Sequence, residues 1–400
     1  MLFSPGAHEE ITDAPWDEQW VRAAVGEIVA GTEEAFAPDT LWPVHPRDAD
    51  YAGIGVYETH GLWSGAAGVT WALQHLDGEG AVDLGRDYAS TAACLHEDYL
   101  RQAGGETPTV PGLWFGEAGI LLVGELLAPD AGRADRLLAA IRSNAANETN
   151  ELVWGSPGTM LAARVMLERT GDERWADAWH ESADRLWDEW RWSDEHACHL
   201  WTQDLYGSIT TYLGPAHGLA GNVLALAELL PEPRSTELVA RVTQTVEALA
   251  FREDGLANWS PQAGSNLVGA DGSIRTQWCH GAPGLVASLA KLEGGRELDE
   301  LLLAGAELTW AAGPLAKGPG LCHGTAGNGF ALLALYGRTG ETVWLERARA
   351  FAMHALEQVA QERAAHGGGR FSLWTGDLGA ALFAWQCIAG DPELPTIDAW

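Results

Sequence analysis

Basic side chains are scarce in this chain. Twenty-four Lys and Arg stand against 56 Asp and Glu, a formal charge of −32 over 400 residues. So few cations cannot build a phosphate-binding face, which excludes nucleic acid as a partner and an anionic membrane surface with it. Long apolar runs are missing too. None reaches the 18 or so residues of a membrane span, so no membrane insertion is expected; the longest, such as FALLALY from Phe330, suit a buried helix. The opening MLFSPGAHEEITDAPWDE lacks the basic and apolar regions of a secretion signal. Five cysteines are too few, and odd in number, for a disulfide scaffold. A reducing cytoplasm, with thiols free to bind metal, is the expected setting. β-branched alternating runs are nearly absent, which argues against sheets.

The hydrophobic fraction, 46%, is ample for a large core. A short pattern recurs seven times: Gly-x-x-Gly, preceded by an aromatic, Cys or His. The copies are GLWSGAAG, GLWFGEAG, ELVWGSPG, GPAHGLAG, QWCHGAPG, GLCHGTAG and SLWTGDLG, with first paired glycines at Gly65, Gly116, Gly155, Gly218, Gly281, Gly324 and Gly376. Each is followed by an apolar, helix-forming stretch, VTWALQHL and NVLALAEL among them. The stretches between are amphipathic at helical period, as in RWADAWHESADRLWDEW. The chain reads as all-α, in pairs of one polar-faced and one apolar helix. An open stack of such pairs exposes its ends, whereas a closed ring buries every apolar member. Seven pairs then form a double ring, with the glycine turns gathered at one end. We read residues 1–400 as one such domain. Residues 1–50 supply an outer helix from about Trp16 to Glu34 and an extended WPVHPRD segment.

Side chains beside the glycines converge on the ring centre in this arrangement. Trp63, Ser64, Trp114, Phe115, Trp374 and Thr375 read as pocket walls. Cys279 and Cys322 occupy the same frame of two different copies, each followed by His and Gly. Two thiols and one imidazole make a three-ligand zinc site with an open fourth position. The frame alone does not choose between His280 and His323. Cys94, Cys198 and Cys387 read as small buried hydrophobes. His217, in the fourth copy, suits acid/base work. Glu151 and Arg275 lie on loops leading to the same centre.

QWCHGAPG, LCHGTAGNG, YLGPAHGLAGN and NELVWGSPG resemble the motifs of the lanthionine synthetase C-like family, and the resemblance runs from Trp42 to about Pro395. It implies an α/α toroid of seven inner and seven outer helices. It also implies zinc held by Cys279, Cys322 and His323, which selects His323 over His280. In the cyclases of this family a histidine at the His217 position is the acid/base, aspartate stands at Glu151, arginine at Arg275 and tyrosine at His280. Glu151 and His280 lean toward the LanC-like branch, which is associated with adding glutathione to dehydrated Ser/Thr residues.

The expected reaction is zinc-dependent thioether formation. A thiol activated by zinc adds to a dehydroalanine or dehydrobutyrine, with His217, Arg275 and Glu151 as catalytic groups. The first reading is a cyclase acting on a peptide with dehydrated Ser/Thr and a free cysteine, for which a dehydratase would be a partner. The alternative is glutathione conjugation to dehydrated side chains. A third reading is a zinc-containing, non-catalytic peptide-binding or scaffold protein. An α/α barrel acting on carbohydrate would need paired carboxylates where this chain has Cys and His.

Overall fold

A computed structural model describes residues 1–12, 14–48, 57–103, 109–264 and 272–400. In chain order the helices are α1 (Glu18–Glu34), α2 (Tyr57–His60), α3 (Ala66–Gly78), α4 (Ala89–Gln102), α5 (Glu117–Leu127), α6 (Ala131–Asn144), α7 (Ser156–Thr170), α8 (Glu173–Asp188), α9 (Leu219–Ala227), α10 (Arg234–Ala248), α11 (Ala282–Leu289), α12 (Arg296–Ala312), α13 (Thr325–Thr339), α14 (Thr342–His366) and α15 (Asp377–Ala389). The odd-numbered helices from α3 to α15 form an inner ring: each touches the next, and α15 touches α3. The even-numbered helices from α4 to α14, together with α1, form the outer ring. This is the expected α/α toroid of seven inner and seven outer helices. No helix among the described residues is long and apolar enough to cross a membrane.

The two rings differ in sequence because they differ in burial. From Ala118 to Leu126 every residue of α5 is buried. On α8 the buried set is Trp175, Ala178, Trp179, Ser182, Ala183, Leu186 and Trp187, one stripe at i, i+3, i+4 and i+7. Asp17, Asp130 and Asp172 cap α1, α6 and α8 by accepting a backbone N–H of the first turn. α1 lies where the sequence places it, although it packs on α15 at the far end of the chain. The WPVHPRD segment ends in a turn closed by the bond from Asp48 N–H to His45 O, 2.8 Å; positions 49 and 50 lie outside the described residues. Cys198 and Cys387 are buried as expected, but Cys94 is exposed. On α4 the buried residues are Ala92, Leu95, His96 and Tyr99, and position 94 falls on the opposite face.

Every inner helix starts at the first paired glycine of a copy: Gly65, Gly116, Gly155, Gly218, Gly281, Gly324 and Gly376 are the seven N-caps. The second glycine allows close backbone approach. A Cβ at Gly327 would lie 1.7 Å from the Leu321 carbonyl oxygen, and one at Gly284 would lie 1.8 Å from that of Trp278. The turns are also joined to their neighbours. Cys279 N–H donates to Cys322 O (3.1 Å), Cys322 N–H to Trp374 O (2.9 Å), and Trp374 N–H to Trp63 O (3.0 Å).

Three antiparallel hairpins depart from the all-helical expectation: β1 (Arg191–Ser193) with β2 (Cys198–Leu200), β3 (Gln203–Leu205) with β4 (Ser208–Thr210), and β5 (Phe251–Glu253) with β6 (Leu256–Asn258). They occupy the links from α8 to α9 and from α10 to α11. Tyr206-Gly207 and Asp254-Gly255 are left-handed at both turn residues, as a two-residue hairpin turn requires. Strands of three residues are too short to reveal a period of two.

Candidate metal centre

The turn end of the toroid is lined in two different ways. At the starts of α15, α3 and α5, the side chain two positions before the glycine is tryptophan, and the three indoles meet. Trp63 stacks on Trp374 with centroids 4.9 Å apart and an interplanar angle of 4°. Trp374 also contacts Trp114 at 4.9 Å and Trp278 at 4.6 Å. These indoles are buried. They are a plug rather than the open pocket wall expected of Trp63, Trp114 and Trp374. From the other end the C-terminal segment reaches this plug: Thr396 Oγ1 accepts from Trp374 Nε1 (3.1 Å) and Trp114 Nε1 (3.4 Å).

The starts of α7, α9, α11 and α13 carry polar groups. Cys279, Cys322 and His323 form a potential metal-binding cluster, with one ligand atom from each lying within 4.8 Å of the others. Around a tetrahedral ion with thiolate and imidazole ligands the donors sit about 3.5–4 Å apart, so the three fit a soft, borderline cation with modest closure. Gln277 Nε2 donates to Cys279 Sγ at 2.8 Å. The hydrogen bond from Cys322, together with the charges of His280 and His323, holds the Cys279 thiol well below its usual range. Burial pushes the Cys322 thiol well above it, and the bond to Cys279 adds to this.

His280 turns away from the cluster although its sequence frame matches that of His323. The backbone is the reason. Gly281 has φ +109, a conformation for glycine alone, whereas Gly324 has φ −137. Gln277 and His280 also exchange two backbone hydrogen bonds of 3.0 Å. The His280 ring lies 5.5 Å from Tyr212 and 6.3 Å from His217. Burial lowers its pKa to about 4; Cys279 opposes the shift, while His217, Arg275 and His323 reinforce it.

His217 is bound at Nδ1 to Glu151 Oε2, 2.8 Å away. Glu151 is fully buried. Its carboxylate also accepts the backbone N–H groups of Val153 (2.9 Å), Trp154 (2.6 Å) and Gly155 (3.1 Å). An acceptor-only carboxylate fixes the proton on Nδ1 and leaves Nε2 free to accept one. Arg275 is exposed, with its charge felt at His280. Thus Glu151, His217, Arg275 and the cluster gather at one arc of the ring.

Two residues escaped the sequence reading. Gln277 had no signal beyond its place in the QWCHGAPG copy. Buried Asn258, on β6, accepts Ala282 N–H at 2.7 Å and donates to Thr276 Oγ1 at 3.1 Å, so it ties the hairpin to the start of α11. A groove of ≈ 870 Å³ between α10 and α12 is lined by Glu228, Glu232, Glu247, Glu293 and Glu297 together with Arg241 and Lys291, and holds none of the cluster residues.

A family model described as lanthionine synthetase C-like protein matches residues 59–398. LanC-like protein GCL1 of Arabidopsis thaliana is 37% identical over 176 residues, 42% of this chain and 37% of that protein. Glutathione S-transferase LANCL1 of Danio rerio is 37% identical over 147 residues, 35% of this chain and 34% of its own length. The chain thus aligns with little more than a third of each of these relatives. Among solved structures, nisin cyclase superposes with a TM-score of 0.60 at 16% identity, over 92% of this chain and 94% of that one, a likeness of fold.

Proposed function

The chain belongs to the lanthionine synthetase C-like family, and from that premise we propose that it is a zinc enzyme adding the thiol of glutathione to dehydrated Ser/Thr residues of polypeptides. The observation that carries this reading is the Cys279–Cys322–His323 cluster on the same arc of turns as a histidine whose proton position is set by Glu151. Zinc in that cluster would lower the pKa of an incoming fourth thiol, so that it reacts as the thiolate.

The remaining chemistry falls to the chain. His217 Nε2 takes the thiol proton and later delivers it to the α-carbon. The sulfur forms a bond to the β-carbon, the double bond is consumed, and the proton lost by the thiol ends on carbon, so no oxidant or reductant is needed. Arg275 faces the enolate oxygen that develops between the two steps. Glu151 keeps His217 in the working tautomer and balances its charge while it holds the proton.

Glutathione is favoured as the thiol by two considerations. One relative is named a glutathione S-transferase, whereas the likeness to nisin cyclase carries fold alone. In addition, Arg275 acts electrostatically on His280, and Lys317 and Arg370 on Cys322; Arg370 is paired with Asp48, which leaves Arg275 and Lys317 as a cationic pair for an anion. An anionic tripeptide thiol meets that pair well. Cyclisation of a peptide carrying its own cysteine is the second reading, favoured by the same donor set; a dehydratase would then supply the substrate.

The test is mass spectrometry of a dehydroalanine peptide incubated with the zinc-loaded protein, with and without glutathione. A gain of one glutathione is expected. Unchanged mass with loss of a free cysteine would move the assignment to cyclisation. Stoichiometric zinc with neither product would overturn the catalytic reading in favour of a zinc-containing scaffold.

A further inference from the structure

Two of the most exposed large apolar side chains lie on one hairpin. Tyr206, at the β3–β4 turn, is 70% exposed, and Ile209, on β4, is 68% exposed. Isolated exposed apolar groups are ordinary, but these two continue into the candidate site. Tyr206 OH accepts a hydrogen bond from Trp154 Nε1 at 3.2 Å. The Tyr206 ring meets that of His217 edge-on at 6.0 Å, and Trp154 packs on Phe115 at 5.1 Å. Tyr206 therefore reaches from solvent to the ring of His217, and exposed Ile209 stands on the strand that leaves the same turn.

The tyrosine also sits where the backbone disfavours it. Tyr206 has φ +53 and is followed by Gly207 at φ +75. Turns of this kind prefer Asn, Asp or Gly at the first position, and a bulky residue there costs about 1–2 kcal/mol. A residue held against its own turn preference points to a contact outside the hairpin.

Reach separates the two substrates. The hairpin sets Tyr206 in its two-residue turn and Ile209 on the strand that leaves it, and so offers contact over more than one residue of an extended acceptor. It carries no cation, whereas Arg275 and Lys317 belong to the segments leading into α11 and α13. The anionic thiol fits that side and a polypeptide fits the hairpin side.

Resting on the thiol-addition reading, we infer that the β3–β4 hairpin is the arm that reads the acceptor: Tyr206 and Ile209 contact the side chains flanking the dehydrated residue of an extended polypeptide. The arm distinguishes a dehydroalanine inside a chain from the same group in a small molecule.

Two variants test it, Tyr206→Asn, which suits the turn, and Ile209→Thr, which stays β-branched. Each is assayed for glutathione addition to a nonapeptide with apolar residues around dehydroalanine and to N-acetyl-dehydroalanine methyl ester. Tyr206→Asn raises KM for the peptide about 10-fold, the usual loss for an aromatic anchor, and Ile209→Thr raises it about 3-fold. Ile209→Thr leaves kcat/KM for the ester and the zinc content unchanged. Equal losses on peptide and ester, or no loss on either, would overturn the arm. A fluorescence titration with the same nonapeptide carrying Ala for dehydroalanine separates this inference from the reading it rests on. Binding weakened in both variants, in a protein that forms no thioether, would leave the arm standing and refute the chemistry. Thioether formation with unaltered binding in both would do the reverse.

Discussion

Seven turns share one backbone frame, yet they divide into two arcs with opposite contents. The starts of α15, α3 and α5 deliver Trp374, Trp63 and Trp114, whose buried indoles pack on one another at 4.9–5.5 Å, with Trp278 from the start of α11 joining them at 4.6 Å. The starts of α7, α9, α11 and α13 deliver Glu151, His217, Cys279 with His280, and Cys322 with His323. The repeat supplies the placement, and one or two side chains before each glycine decide whether that place is wall or chemistry. The arcs depend on each other: Cys322 N–H is held by the Trp374 carbonyl, so the apolar arc sets the height at which a thiol stands. Backbone bonds carry that dependence, and side chains can therefore be exchanged on one arc without dismantling the other.

The sharpest way to break this comparison is a pair of substitutions, one in each arc. Cys322→Ala should abolish zinc binding and lower thiol addition by at least ~10³-fold, while the metal-free protein unfolds near the wild-type midpoint. Zinc stoichiometry and a denaturant titration of the metal-free protein read both quantities. Trp374→Ala should do the opposite, costing about 3–5 kcal/mol of stability while zinc is retained below the transition. If Trp374→Ala released zinc from a protein of unchanged stability, the division into wall and chemistry would be wrong. Glu151→Gln sharpens the polar arc alone. It keeps the shape and removes the charge that fixes His217, so kcat should fall about 10–100-fold with zinc content intact. Thr396→Val is the smallest change expected. It removes the acceptor shared by Trp114 and Trp374, for a loss of about 1–3 kcal/mol and little effect on kcat.

The ring was legible because glycine spacing and helix amphipathicity are properties of the chain itself. The same frame brought Cys279 and Cys322 together across their uneven separation. It could not choose between His280 and His323, because each follows its cysteine and precedes its glycine in the same frame, while the backbones at Gly281 and Gly324 differ in a way that two glycines do not reveal. The resemblance named His323, the residue that joins the cluster. Trp63, Trp114 and Trp374 were read as pocket walls rather than as a plug since the sequence does not say that residues from four copies touch. The hairpins went unseen because Asp254-Gly255 is a turn signal without strands long enough to accompany it. Exposure of Cys94 was recoverable from the stripe of Ala92, Leu95 and Tyr99, which leaves position 94 facing out.

The pairing of α1 with α15 bears on how the molecule is assembled. The first outer helix covers the last inner one, and Trp374 N–H crosses the seam to Trp63 O. Segments about 300 residues apart must meet before this buckle fastens, and contacts of such range tend to form late. Cys322 N–H hangs from Trp374 at that seam, and Cys279 N–H hangs in turn from Cys322. The thiols are thus the inner end of a backbone chain whose outer end is the clasp between the first copy and the last, so strain at the clasp has a direct route to the donor set.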